Sequence, residues 1–198
     1  MDIDPIKIGK ILASGGVILH PTETCYGLAC DAFDENALKK IYEIKGRDAN
    51  KPLAILVSDI EMAKEYGVFG DVALDLASRF WPGALSIVVL RTEKLPSFLN
   101  VGEKFVSMRV SSDKFSTELV KAFGKPIITT SANLAGADNM YEVDMKKFEV
   151  EVSGGLMAKD LIDFVVDGGK IPLNKPSTIV KVDEEAVTIL RQGDVVVD

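Results

Sequence analysis

The chain has 198 residues, of which 47% are hydrophobic and 27% are charged, as is typical of a soluble globular domain with a substantial core. Its formal net charge of −7 argues against a broad nucleic-acid-binding surface, so an anionic ligand would have to meet a local basic pocket. Two cysteines and one histidine exclude a disulfide framework and a multi-histidine metal site, and they favour a reducing, cytoplasmic location.

Helical spacing and termination signals predict helices at 5–14, after Asp34, around 61–66, around 73–80 and around 115–123. Asp34 is suited to N-cap the second helix, and Gly124 is suited to close the last. Short apolar runs predict strands at 17–19, 53–57, 85–90, 104–110, 126–130, 164–166, 178–182 and 186–190, the last two forming a hairpin. The alternation predicts one α/β domain over residues 1–198, with a twisted mixed sheet flanked by helices.

No apolar run in the sequence is long enough to span a bilayer, and the first residues lack the pattern of a signal peptide. We therefore expect no membrane association.

Polar residues directly follow several predicted strands, which is where ligands bind in open α/β sheets. The sets are Thr22, Glu23, Thr24 and Tyr26 after the first strand, Arg109 to Ser111 at the end of the fourth, and Ser131 to Asn133 after the fifth. We expect all of them to border one cleft. The alternative for Ser131 to Asn133 is a helix N-cap or a simple turn.

A basic loop, KGRDANK, follows the second predicted helix and contains Lys45, Arg47 and Lys51. Three cations in one short loop could hold a triphosphate, with arginine acting as a fork and the lysines as point charges. The alternative is that they complement the helix dipole or are solvated at the surface. Neither a G-x-x-x-x-G-K-[ST] nor a G-x-G-x-x-G sequence is present, so the common phosphate-binding loops are excluded.

Four other residues favour structural interpretations. His20 is expected to satisfy a local hydrogen bond rather than to catalyse, and Cys25 is expected to behave as a small buried hydrophobe. Met108 is expected to pack in the core, and Trp81 to close a helix onto it.

A series of short segments occurs in the order seen in the YrdC/Sua5 family. They are PTETCYGL, KGR, KPL, WPGALSIVV, MRV, TTSAN, PSTIV and LRQG. The chain resembles this family from about Gly15 to Gly193, and it resembles the short form without a further C-terminal domain. The resemblance implies a twisted mixed sheet with a concave, positively lined cavity.

The family comprises threonylcarbamoyl-AMP synthases. The resemblance therefore implies formation of threonylcarbamoyl-AMP and pyrophosphate from L-threonine, bicarbonate and ATP, with Mg²⁺ accompanying the ATP. It further implies that the product serves the t6A37 modification of tRNA, through partner proteins of that pathway.

The resemblance also implies roles for individual residues. Lys45, Arg47, Ser131 and Asn133 resemble the family's catalytic signature set. The implied threonine contacts are Thr24, Arg109, Ser131 and Ser177. The implied ATP contacts are Lys45, Arg47, Lys51, Thr129, Asn133, Asn139 and Arg191. The sequence departs from common family residues at Leu56, Lys51 and Asn139.

Two hypotheses of other classes remain open from the sequence. The first is a module that binds double-stranded RNA or tRNA without catalysis, which the acidic net charge disfavours. The second is a carbamoyl-transfer accessory domain, as in hydrogenase-maturation relatives, although those are long multidomain chains.

Overall fold

Helices and strands alternate along residues 3–48 and 51–197, the parts of the chain that a computed structural model describes. The α-helices are α1 (Pro5–Ala13), α2 (Glu35–Lys45), α3 (Ile60–Tyr66), α4 (Asp71–Phe80) and α5 (Lys114–Phe123). The strands are β1 (Ile18–His20), β2 (Gly27–Asp31), β3 (Ala54–Leu56), β4 (Leu85–Leu90), β5 (Phe105–Arg109), β6 (Ile127–Ser131), β7 (Phe164–Val165), β8 (Thr178–Asp183) and β9 (Ala186–Arg191). Short 3-10 helices lie at Met145–Phe148, Ser153–Gly155 and Ala158–Leu161.

The strands of the described residues form one nine-stranded sheet in the order β7-β1-β2-β6-β3-β5-β4-β8-β9. Three neighbouring pairs, β1–β7, β3–β5 and β4–β8, are parallel, and the other pairs are antiparallel. The predicted mixed α/β sheet is therefore confirmed, and β8–β9 is the predicted hairpin.

The predicted helix ends are confirmed at the two capping residues. The Asp34 side chain accepts hydrogen bonds from the backbone N–H groups of Asn36 and Ala37 at 2.8 and 3.0 Å, which satisfies donors that α2 leaves free at its first turn. Gly124 ends α5 at a φ of 78°, a left-handed conformation that costs glycine nothing sterically.

Apolar side chains pack against both faces of the sheet, because successive strand residues point to opposite sides. On β2, Leu28 and Cys30 belong to a large core that also includes apolar residues of α2 and α4. Ala29 belongs to a smaller core with residues of α1 and α5, such as Leu12 and Leu119. We call the face on which Ala29, α1 and α5 lie the second face of the sheet. Much of it lies beyond these two helices and remains accessible to a ligand.

In the described parts of the chain, we find no helix with the length and hydropathy that a bilayer crossing requires.

Candidate functional site

A cavity of about 490 Å³ lies over the second face of the sheet. Its cationic lining residues are Arg47, Arg109, Lys181 and Arg191. Its hydroxyl-bearing lining residues are Thr22, Thr24, Tyr26, Ser86, Ser107, Thr129, Thr130, Ser131 and Ser177. Cavities of this size accommodate small organic ligands, and this lining suits a ligand that carries negative charge.

The segment after β1 turns sharply and presents its polar groups to the cavity. The Thr22 hydroxyl donates to the carbonyl of Cys25 at 2.6 Å and accepts from the N–H groups of Thr24 and Cys25, each at 3.2 Å. A threonine hydroxyl that binds nearby backbone in this way stabilises a tight turn. Tyr26 then fastens the segment, because its hydroxyl donates to the carbonyl of Gly169 at 2.7 Å.

An ion pair between the buried Arg109 and the largely buried Glu23 lies at this end of the cavity. Nη1 of Arg109 is 3.4 Å from Oε1 of Glu23, and it donates to the Thr24 hydroxyl at 3.3 Å. The Ser111 hydroxyl donates to the other oxygen of Glu23. Glu23 Oε1 has no partner with hydrogen-bond geometry among the described residues, so we regard the 3.4 Å contact as a charge interaction. The guanidinium is therefore held in place while part of its hydrogen-bonding capacity stays available.

A second arginine reaches the same end from the edge of the sheet. Arg191 donates from Nε to the Ser177 carbonyl and from Nη2 to the Ser177 hydroxyl, both at 2.9 Å. Ser177 also lies 3.0 Å from the hydroxyl of Ser86. Burial, followed by the charge of Arg109, lowers the pKa of Arg191. Two neighbouring guanidinium groups at one end of a cavity favour the arrival of an anion.

Two polar atoms near the cavity are buried and unpartnered in the described parts of the chain: Nε of Arg47 and Oγ of Ser107. Both residues line the cavity. Nη2 of Arg47 donates to the Pro52 carbonyl at 3.0 Å, so the side chain is held while Nε keeps a free donor. Buried polar atoms without partners are rare in native proteins, so each of these two calls for a partner such as a water molecule or a ligand.

Lys45 connects the end of α2 to the segment after β6. Its ammonium donates to the carbonyls of Ser131 and Asn133 at 2.6 and 2.9 Å, and to Oδ1 of Asn133 at 2.9 Å. The Ser131 hydroxyl donates to the same Oδ1 at 2.7 Å. Burial and the charge of Arg47 lower the Lys45 pKa to about 8. With only 3% of the residue exposed, the interpretation of Lys45 as a solvated surface charge is wrong.

Most of the residues predicted for the site meet in this one cavity. Those that line it are Thr24, Arg47, Arg109, Thr129, Ser131, Asn139, Ser177 and Arg191. Lys45 and Asn133 are not lining residues but form the network just described, and Lys51 is exposed and also absent from the lining. Two residues of the predicted basic loop, 49 and 50, lie outside the described residues.

The alternative interpretation of Ser131 to Asn133 as a helix N-cap is wrong. In the described chain the next helical segment begins only at Met145, and the intervening residues form bends and turns. The expectation for Met108 is confirmed, because it is fully buried in the large core. Cys25 is buried as expected, but it also lines the cavity.

Ser86, Ser107 and Asn100 line the cavity although the sequence analysis did not single them out. Polar residues at the ends of predicted strands indicate the cleft, whereas Ser86 and Ser107 lie within β4 and β5. Alternation along β5 was a usable signal, because polar Ser107 and Arg109 share a face and apolar Val106 and Met108 share the other.

His20 pairs with the cavity-lining residue Gly27 across β1 and β2 and is completely buried. The Ser116 hydroxyl donates to the Pro21 carbonyl at 3.0 Å, so we assign the 3.1 Å contact between His20 and Ser116 as donation from Nδ1. A hydrogen bond is therefore present, but its partner lies 96 residues away in the sequence and is not local. Nε2 has no partner in the described residues and lies 3.4 Å from the point where a Cβ on Gly27 would be.

Burial, followed by the charge of Arg109, lowers the His20 pKa to about 4 from the ordinary 6.5. Between these two pH values the unfolded chain binds a proton at His20 that the folded chain does not. The contribution of His20 to the free energy of unfolding is therefore fully present above pH 6.5 and is lost as the pH drops toward 4. At about 1.4 kcal/mol per pH unit, this contribution amounts to about 3 kcal/mol.

We expect urea unfolding to show a smaller acid-induced loss of unfolding free energy for His20→Asn than for the unchanged protein. Identical pH profiles would contradict the assignment, since the chain has no other histidine.

A mixed nine-stranded sheet that carries a cation- and hydroxyl-lined cavity on one face defines an α/β protein suited to a small anionic ligand. The chain belongs to the Sua5/YciO/YrdC family, whose model, described as "Telomere recombination", matches residues 10–193.

Individual relatives agree with this membership. A Methanocaldococcus jannaschii protein is 32% identical over 93% of this chain and 83% of its own length. The Pyrococcus abyssi protein named threonylcarbamoyl-AMP synthase is 33% identical over 92% of this chain. The structure of Pyrococcus abyssi Sua5 with L-threonine superposes with a TM-score of 0.86 at 30% identity, covering 98% of this chain and 56% of that one. The present chain thus spans about half the length of the Pyrococcus abyssi protein, 52% of it in the sequence comparison.

Proposed function

We propose that this chain is an L-threonylcarbamoyladenylate synthase, a nucleotidyltransferase that joins L-threonine, bicarbonate and ATP and releases pyrophosphate. One observation carries the proposal: Arg47, Arg109 and Arg191 converge with a row of hydroxyl groups on a single cavity. A relative named threonylcarbamoyl-AMP synthase and a related structure containing L-threonine support the same assignment.

In this proposal the amino acid binds at the end of the cavity that contains the buried ion pair. Arg109 would pair with the threonine carboxylate, for which a guanidinium fork is well matched. The hydroxyls of Thr24, Ser131 and Ser177 would complete the hydrogen bonds of the amino acid. Glu23 would keep Arg109 in position before the substrate arrives, so little reorganisation is needed on binding.

ATP would bind toward Arg47, whose buried Nε has no other partner in the described residues. A phosphate oxygen would accept hydrogen bonds from the Arg47 guanidinium, which lines the cavity. Lys45 and Asn133 would act through their network with Ser131, which orients the segment facing the α-phosphate. The remaining ATP contacts would come from Lys51, Thr129, Asn139 and Arg191.

The chemistry follows from these positions in two steps. The unprotonated amine of threonine adds to bicarbonate or CO₂ and forms a carbamate, with loss of water when bicarbonate reacts. A carbamate oxygen then attacks the α-phosphorus of ATP, the bond to the β-phosphate oxygen breaks, and pyrophosphate leaves. The protein would contribute alignment and stabilisation of developing charge rather than a covalent intermediate.

Mg²⁺ would accompany ATP and offset part of the phosphate charge. The described residues include no group of three or more histidine, cysteine, aspartate or glutamate side chains that could hold a metal ion. Phosphate oxygens and water would therefore supply most of its ligands, which is common for magnesium. The adenylate product would pass to partner proteins that carry out the t6A37 modification of tRNA.

The first test is pyrophosphate release by the pure protein with ATP, bicarbonate and Mg²⁺. We expect release to require L-threonine, because the carbamate nucleophile cannot form without the amine. Serine and valine serve as matched controls, each lacking one part of the threonine side chain. Pyrophosphate release that is independent of threonine would contradict the proposal.

An RNA-binding module is the competing hypothesis of another class. The arginines named above face a cavity of about 490 Å³, whereas a duplex is contacted across an extended surface. A gel shift with tRNA at increasing salt separates the two functions: tight, salt-dependent binding without threonine-dependent chemistry would favour the RNA hypothesis. Replacing threonine with carbamoyl phosphate in the same assay tests the carbamoyl-transfer alternative.

A further inference from the structure

Asn100 holds the backbone of Leu53 at both of its polar groups. Oδ1 of Asn100 accepts from the Leu53 N–H at 2.8 Å, and Nδ2 donates to the Leu53 carbonyl at 2.9 Å. Asn100 is only 4% exposed and has a φ of 54°, in the left-handed region that asparagine tolerates better than most residues. A single amide that pairs with both groups of one residue fixes the distance and the orientation of that residue.

The segment fixed in this way also holds Arg47. Nη2 of Arg47 donates to the carbonyl of Pro52 at 3.0 Å, and Pro52 directly precedes Leu53. The Pro52 carbonyl carbon and the Leu53 nitrogen share one peptide plane, so a shift at Leu53 displaces the acceptor of Arg47. Because Arg47 lines the cavity, the direction in which its guanidinium points depends on that acceptor.

Asn100 is itself anchored to the sheet through Arg91, which follows β4. Arg91 donates from Nη2 to the carbonyls of Leu95 and Pro96 at 3.1 and 2.8 Å, and from Nη1 to the carbonyl of Leu99. These bonds close the loop that ends at Asn100. The two hydrogen bonds between Asn100 and Leu53 therefore connect Arg47 to a loop that is fixed against β4.

We propose that Asn100 is a positioning residue that sets the guanidinium of Arg47 for a polyphosphate ligand. It acts through the backbone of Pro52 and Leu53 and need not contact the ligand. The inference rests on the proposed function for the identity of the ligand, ATP. It adds a determinant of nucleotide affinity that lies in a different loop from the cations.

The test is a double-mutant cycle on ATP affinity, measured by calorimetry without threonine so that no turnover occurs. Asn100→Gly keeps the left-handed backbone but removes both hydrogen bonds. We expect it to weaken ATP binding about tenfold, equivalent to about 1.4 kcal/mol, and to leave threonine affinity within about twofold. In the Arg47→Met protein, Asn100→Gly should cause no further loss. Ser97→Gly, at an exposed position of the same loop, is the matched control and should bind ATP normally.

Asn100→Asp provides a second test should the glycine variant not fold. It keeps the acceptor for the Leu53 N–H and loses the donor to the carbonyl. Any direct repulsion of ATP by its charge is present in both Arg47 backgrounds and cancels in the cycle. The inference would be overturned if Asn100→Asp weakened ATP binding by the same factor with and without Arg47. It would also be overturned if Asn100→Gly left ATP affinity unchanged.

The same measurements distinguish failure of the inference from failure of the proposed function. Coupling between Asn100 and Arg47 in a protein that binds ATP but shows no threonine-dependent pyrophosphate release would support the inference and overturn the function. Absence of ATP binding by the unchanged protein would overturn both.

Discussion

Replacement of Lys45 by methionine is expected to slow adenylate formation by at least about a hundredfold, the scale on which loss of a preorganised electrostatic group acts. The ammonium donates to two carbonyls and to Oδ1 of Asn133, and methionine can replace none of these bonds. The acceptors would be left buried, at a cost to stability of about 1–3 kcal/mol. Steady-state pyrophosphate release and urea unfolding measure the two effects.

Lys39→Met is the matched control for this prediction. Lys39 lies on the same helix, and its side chain is 62% exposed and pairs only with Glu35 at 2.8 Å in the described residues. A surface ion pair of this kind contributes little to stability, so both activity and unfolding should stay close to those of the unchanged protein. Turnover of Lys45→Met within about threefold of normal would remove Lys45 from the mechanism, because that factor corresponds to less than about 1 kcal/mol.

The large elements of the fold could be predicted because local signals and tertiary packing agree there. Strand β4 matches its predicted range, and α5 ends at the predicted Gly124. Strand β2 was missed because GLACD carries small and polar residues with weak strand propensity. It forms because β1 and β6 pair with it on both sides and all five of its residues are buried, which is information that only the tertiary structure contains.

The chemistry of the site was more predictable than its geometry. Residue types and motif order predicted that arginines and hydroxyl groups form the site, and eight of the predicted residues line the cavity. The sequence could not reveal that the Lys45 ammonium is taken up by backbone carbonyls and Asn133 rather than facing the cavity. Nor could it reveal the paired hydrogen bonds between Asn100 and Leu53, because the two residues are 47 positions apart and Asn100 lies in none of the recognised segments.

Arg109→Met is expected to have a large effect on both binding and stability. If Arg109 pairs with the threonine carboxylate, loss of charge-assisted hydrogen bonds costs about 1.5–3 kcal/mol, so the KM for threonine should rise roughly tenfold to a hundredfold. The KM for ATP should change far less. The same substitution leaves the Glu23 carboxylate buried without its cation, which typically costs about 3–5 kcal/mol of folding free energy.

The double variant Glu23→Gln, Arg109→Met separates these two effects, because it removes both charges of the buried pair. Stability should largely return, since replacing a whole buried pair is often close to neutral. Threonine affinity should not return, because no guanidinium is left to meet the carboxylate. Urea unfolding and a threonine titration of pyrophosphate release, applied to both variants, measure the outcome. A double variant that recovers both stability and the normal KM would show that Arg109 serves only to neutralise Glu23, and the amino acid would then have to bind elsewhere in the cavity.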